Sequence, residues 1–152
     1  MASPASKRNN KLGGFIKFLM QGFAVVRELG EVVGSRFAFE LSETRAPEPD
    51  IAVEIVARES RTRDYVEKKN LYESAGVLEY WIIDPLQRRA EFYRLIDGQY
   101  NLVPLEQNRI FRSESLAGFW LDVEWLFAEK LPNEFHKLQE ILIREDLPSS
   151  AA

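Results

Sequence analysis

A chain of 152 residues, 45% apolar and 29% charged, has ordinary globular proportions and is long enough to bury one core. It has no cysteine and a single histidine, His136, which excludes disulfides, zinc-thiolate centres and histidine-rich metal sites and leaves only hard cations held by carboxylates. A net charge of -4 excludes a protein that coats nucleic acid through clustered Lys and Arg, but not an enzyme that touches DNA over a short basic strip.

The start, Met1 to Asn10, is small, polar and basic without periodicity, and reads as a disordered tail, like residues 148–152 at the other end. Residues 11–147 read as a single domain. Lys11 to Leu29 places Leu12, Phe15, Ile16, Leu19, Phe23 and Val26 at helical spacing, an apolar stripe suited to lying on a sheet. A signal peptide is the competing reading, opposed by Lys17 and Gln21 within the run and by the lack of a small-residue cleavage pattern. No apolar stretch has the ~20 residues of a membrane span, and the absence of cysteine fits a reducing cytoplasm. After Gly30 and Gly34, Ser35 to Leu41 alternates as a strand with Phe37, Phe39 and Leu41 inward. A proline-bearing connection from Ser42 to Pro49 then returns the chain antiparallel as a hairpin.

In the run Asp50-Ile51-Ala52-Val53-Glu54-Ile55-Val56, three β-branched residues alternate with Asp50, Ala52 and Glu54, so the spacing predicts a buried strand with an acidic face. Ala57 to Arg63 reads as a loop. Its Arg58, Arg61 and Arg63 are either solvated charges or a phosphate-contacting strip. Asp64 with Glu67 resembles a capping box opening a helix that Gly76 stops. Within that helix Lys68 has Tyr65, Leu71 and Tyr72 three and four residues away, which turns its stem inward. An inward lysine also serves simply to cover apolar surface, and both readings stay open. Glu79 to Asp84, with Tyr80, Trp81, Ile82 and Ile83 in a row, is predicted as the central strand, covered on both faces. Asp97-Gly98 marks a hairpin between strands at Ala90–Ile96 and Gln99–Val103. Ile110 to Val123 reads as a short strand or loop, and Glu124–Lys130 and Pro132–Glu145 as helices, with His136 facing solvent.

Taken together, Pro49-Asp50-Ile51-Ala52-Val53-Glu54, then Asp64 with Lys68 and Tyr72, then Gly76-Val77-Leu78-Glu79-Tyr80-Trp81-Ile82-Ile83-Asp84-Pro85, resemble the Uma-two restriction endonucleases, a branch of the PD-(D/E)XK nuclease superfamily. The resemblance covers about Leu12 to Phe127. It implies an α/β fold with a restriction-endonuclease-like central mixed β-sheet flanked by α-helices, Mg²⁺- or Mn²⁺-dependent hydrolysis of DNA phosphodiesters, and, by family habit, a homodimer. It implies Asp50, Glu54 and Lys68 as catalytic residues, with Asp50 and Glu54 as metal ligands. Val56 stands where the superfamily lysine is usual, so Lys68 becomes its substitute. Family members carry two Pro-Asp strands and this chain has one, as though the first motif strand were lost. The alternative function is accordingly a catalytically silent nuclease-fold module for binding or dimerisation.

Strand geometry adds a constraint. Asp50 and Glu54 on one strand have Cα atoms roughly 13 Å apart, too far to share a small ion without a bulge or a further acid. Glu28, Glu31 and Glu40 are candidates for that acid.

Overall fold

The computed structural model describes residues 4–29, 38–39 and 50–144. Residues 30–37 and 40–49, which include the predicted turn between the first two strands, and the 148–152 tail lie outside them.

Helix α1 (Pro4–Val26) begins within the stretch expected to be a tail. Pro4 suits a first helical position, where its missing N–H costs nothing. Polar side chains then fasten the opening turns to the rest of the fold. The Arg8 guanidinium donates to the carbonyls of Ala128 and Glu129, and Asn9 Nδ2 donates to the Val56 carbonyl at 3.3 Å. Apolar periodicity does not report such anchoring. Further along, Leu12, Phe15, Ile16, Leu19, Met20, Phe23 and Ala24 are buried, whereas Val26 in the last turn is exposed.

The main sheet has the order β1 (Ala38–Phe39), β2 (Ile51–Ile55), β3 (Glu79–Asp84), β4 (Arg89–Ile96), β5 (Gln99–Leu102). It is mixed. β2 and β3 run parallel, from Ile51 opposite Glu79 to Ile55 opposite Ile83, and the other neighbours are antiparallel. Every residue of β2 and β3 is buried, as a strand covered on both faces requires. The parity of β2 sorts the faces. Ile51, Val53 and Ile55 join Trp81, Ile83 and Phe92 in the larger core with α1, while Ala52 and Val56 lie with Tyr80, Ile82 and Val77 in a second one. The larger core is completed by a hairpin of β6 (Ile110–Arg112) and β7 (Trp120–Asp122), where a strand or loop was expected, and by α3 (Val123–Phe127) and α4 (Glu134–Arg144). Trp81 packs against Phe92, Phe111 and Phe119 with ring centroids 5.7, 5.2 and 6.1 Å away.

The β2–β3 crossover departs from its expected form. A 3-10 turn (Arg58–Ser60) leads through helical residues 61 and 62 into a π-helical turn (Arg63–Glu67) and then α2 (Lys68–Ala75), so residues read as loop are largely helical. Ser60 does the opening. Its Oγ accepts the Ala57 N–H at 3.0 Å, and Asp64 lies a full turn inside the helix rather than at its cap. The far end is as expected. Gly76 is left-handed with φ 82°, its N–H meets the Glu73 carbonyl, and the Val77 N–H meets the Tyr72 carbonyl at 3.1 Å, a Schellman stop. A Cβ on Gly76 would have nothing within 4 Å, so Gly76→Ala carries only the backbone cost, about 1–2 kcal/mol, seen as a lower urea midpoint at unchanged slope.

All five tyrosines border the second core, and each hydroxyl is a donor: Tyr65 to Asp84, Tyr72 to Glu54, Tyr80 to the Asp64 carbonyl, Tyr93 to Glu91 and Tyr100 to the Val77 carbonyl. Burial first, then neighbouring carboxylates for most of them, raises every phenol, Tyr72 to about 12 and the others further. The folded state thus holds these protons more tightly than the unfolded chain, whose phenols titrate near pH ~10. The associated stability is complete below that pH and is lost as pH rises from there through the folded values. Ultraviolet absorbance at pH ~10.5 should show little phenolate in the folded protein and abundant phenolate once denaturant is added.

Candidate active site

Glu54 sits near the carboxyl end of β2, opposite Ile82 of β3, on the face that α2 covers. Its carboxylate is held from two sides. Lys68 Nζ lies 2.9 Å from Oε2, and the Tyr72 hydroxyl donates to Oε1 at 3.2 Å. Lys68 reaches a second acid as well, Asp64 Oδ1 at 3.5 Å. Asp64 is 1% exposed; its Oδ2 accepts the Ser60 hydroxyl at 2.6 Å, while Oδ1 accepts no hydrogen bond among the described residues.

The π turn builds this arrangement. The Lys68 N–H bonds to the Arg63 carbonyl five residues back, which leaves the Asp64 carbonyl, its partner in a regular α-helix, accessible to the Tyr80 hydroxyl at 2.8 Å. The helix is thereby tied to β3 at the turn that presents Asp64 and Lys68 to Glu54. The raised phenols of Tyr72 and Tyr80 keep both hydroxyls protonated as donors. Two carboxylates and one ammonium leave the cluster with one net negative charge. Lys68 is its accessible edge, with a side chain 31% exposed.

Beside it, Asp84 ends β3 fully buried. It receives Arg61 at 3.3 Å, the Tyr65 hydroxyl at 3.2 Å and the Gln87 N–H at 3.2 Å. Arg61 is therefore committed to the fold, whereas Arg58 and Arg63 are exposed. Lys69 points away from Lys68 and lies over the Tyr93 ring at 4.1 Å.

Of the sequence-predicted site residues, the structure brings Glu54 and Lys68 together. Asp50 precedes β2, its carbonyl accepts the Glu79 N–H at 3.1 Å, and about four residues of extended chain, ~13 Å, separate it from Glu54. Glu28 is exposed just beyond α1, the helix that packs on the opposite face of the sheet. Glu31 and Glu40 lie outside the described residues. Val56, at the usual superfamily lysine position, is fully buried. Leu71, expected beside the Lys68 stem, is exposed. Asp64 is thus an inward side chain rather than the cap its spacing to Glu67 suggests, and the sequence signal for the cluster is the spacing of Asp64, Lys68 and Tyr72, four residues apart each time.

No group of three or more acids or histidines poised for a metal occurs among the described residues. The donor chemistry of Glu54 and Asp64 nonetheless suits a hard cation: two anionic carboxylates, one with an oxygen lacking a hydrogen bond, face a common point.

A family model for Uma2, described as "Putative restriction endonuclease", matches residues 23–124, about two thirds of the chain. This chain belongs to the Uma2 family. Among solved structures, a protein from Anabaena variabilis described as a putative nuclease of DUF820 is similar at TM-score 0.57 and 12% identity, covering 79% of this chain and 80% of that one. At that identity the likeness shows a shared fold. No curated protein matches. In this Uma2 chain the matched region carries β2, β3 and the intervening helix, and so the whole Glu54–Lys68–Asp64 cluster. No helix among the described residues is long and apolar enough to cross a membrane.

Proposed function

We propose that this Uma2 protein is a DNA endonuclease that hydrolyses phosphodiester bonds with Mg²⁺ or Mn²⁺. The observation that carries the reading is the buried Glu54 carboxylate, paired at 2.9 Å with a half-exposed Lys68 at the carboxyl end of a parallel strand pair, within a chain of this family. Open α/β sheets place ligand sites at such strand ends. Glu54 and Asp64 would hold the cation, which supplies Lewis-acid polarisation of the phosphoryl oxygen and acidification of a bound water.

The chain's own residues do the rest. Tyr72 fixes the Glu54 carboxylate through one oxygen and leaves the other toward Lys68. Ser60 and the Tyr80-anchored π turn orient Asp64. The Lys68 ammonium, at the open edge, is placed to meet a phosphate oxygen and offset the charge that grows in the transition state. Exposed Arg58 and Arg63 would contact flanking phosphates and add a salt-dependent part to affinity.

A second reading, a catalytically silent module, draws on two observations: both Glu54 oxygens already have partners within the fold, and Val56 fills the usual lysine position. Incubating supercoiled plasmid with the purified protein separates the two. The nuclease reading expects nicking or cutting that appears with Mg²⁺ or Mn²⁺ and stops on chelation. No cleavage with either ion would establish the silent module.

A further inference from the structure

Two carboxylates that share one ammonium raise the question of what else that point can hold. Glu54 Oε2 and Asp64 Oδ1 lie 2.9 and 3.5 Å from Lys68 Nζ, and both belong to side chains almost fully withdrawn from water. The arrangement is lopsided. The Lys68–Glu54 contact has the length of a charge-assisted hydrogen bond, whereas 3.5 Å to Asp64 is too long for one, and Asp64 Oδ1 has no other donor among the described residues. A buried carboxylate oxygen left without a donor is costly and gains from any closer cation.

Resting on the nuclease reading, we propose that Lys68 and a divalent cation are exclusive occupants of the Glu54–Asp64 pair: the lysine is the resident counter-ion, and Asp64, rather than Asp50, is the second ligand. A single positive charge leaves the cluster at one net negative, so a doubly charged ion matches the two carboxylates better. An ammonium and a divalent ion within about 4 Å of each other repel strongly, so both cannot stay. Lys68 is the member able to leave, because its long stem already reaches solvent, while Asp64 is fixed by Ser60 and by the Tyr80 tie on its backbone. The exchange turns a structural ion pair into a free ammonium at the site's edge, and makes Lys68 the residue that sets metal affinity.

Calorimetric titration of the full chain with Mn²⁺ in the absence of DNA tests this. Lys68→Met should bind Mn²⁺ at least about tenfold more tightly than wild type, since it removes the ammonium that competes for the same two carboxylates. Adding Asp64→Asn to Lys68→Met should abolish the gain. Lys68→Gln, which keeps a polar end group, should show the same direction, and a larger Mn²⁺-induced rise in melting temperature than wild type should accompany both. Equal Mn²⁺ affinity in wild type and in both lysine variants overturns the proposal, as does a gain that survives Asp64→Asn. Because no DNA is present, failure of plasmid cleavage leaves this result standing, and a cleaving enzyme whose lysine variants bind Mn²⁺ no more tightly sinks the exchange alone.

Discussion

Glu79→Ala is expected to destabilise the protein by at least about 3 kcal/mol. Glu79 is 1% exposed at the head of β3, and its carboxylate accepts four hydrogen bonds: from Trp81 Nε1 at 3.0 Å, from the Ser113 hydroxyl at 2.9 Å, and from the Glu114 and Ser115 N–H groups at 2.8 Å each. It therefore fastens the central strand to the turn between β6 and β7 and stands in for the backbone partners that turn lacks. Removing it strands several buried donors at once, and each such loss costs roughly 1–3 kcal/mol. For a chain of this length the corresponding fall in melting temperature is roughly 6–12 °C. Glu79→Gln keeps acceptor capacity on one oxygen only, because its amide nitrogen cannot accept, and should lose about half as much. Thermal unfolding followed by circular dichroism measures both; a melting temperature unchanged in Glu79→Ala would show that the turn does not depend on this carboxylate.

Lys68→Ala should lower DNA cleavage by ~10²-fold or more, the usual consequence of deleting a group that meets charge developing in the transition state. The effect should fall on the maximal rate rather than on DNA affinity, to which the exposed Arg58 and Arg63 would contribute under the proposed function. Some loss of stability should accompany it, because the buried Glu54 and Asp64 carboxylates then lack their counter-ion, so the melting temperature of the variant is measured alongside its rate. Asp50→Asn, by contrast, alters a residue ~13 Å along the strand from Glu54 and should have a much smaller effect on rate. Single-turnover kinetics on a labelled duplex distinguish these cases. An equal loss in Asp50→Asn and Lys68→Ala would return Asp50 to the site.

The parts of this fold that can be read from sequence are those set by local pattern. Alternation in Ile51–Ile55 placed three residues in one core and Glu54 on the other face, and the unbroken run of Tyr80 to Ile83 marked the central strand. Gly76 and Asp97-Gly98 stop and turn the chain with the positive φ their residue types favour. The inward stem of Lys68 follows from helical spacing, and its place beside Glu54 is what the family resemblance implied. What escaped depends on distant partners. The N-terminal helix extends to Pro4 because Arg8 and Asn9 find carbonyls at Ala128, Glu129 and Val56, far along the chain. Asp64 looked like a cap because Glu67 follows at the right interval, but Ser60 had already opened the helix, and the Asp64 side chain was turned inward. The hairpin of β6 and β7 is too short for periodicity to reveal, since each strand has three residues and its register is held by Glu79 and by aromatic contacts.

The most direct test of the central claim compares wild type and Glu54→Ala, purified in parallel and assayed on supercoiled plasmid with Mn²⁺. If Glu54 holds the cation for phosphodiester cleavage, wild type nicks the plasmid and Glu54→Ala, folded to a similar melting temperature, loses at least ~10²-fold of that rate. Equal cleavage by the two proteins would contradict the account and assign the activity to something other than this site.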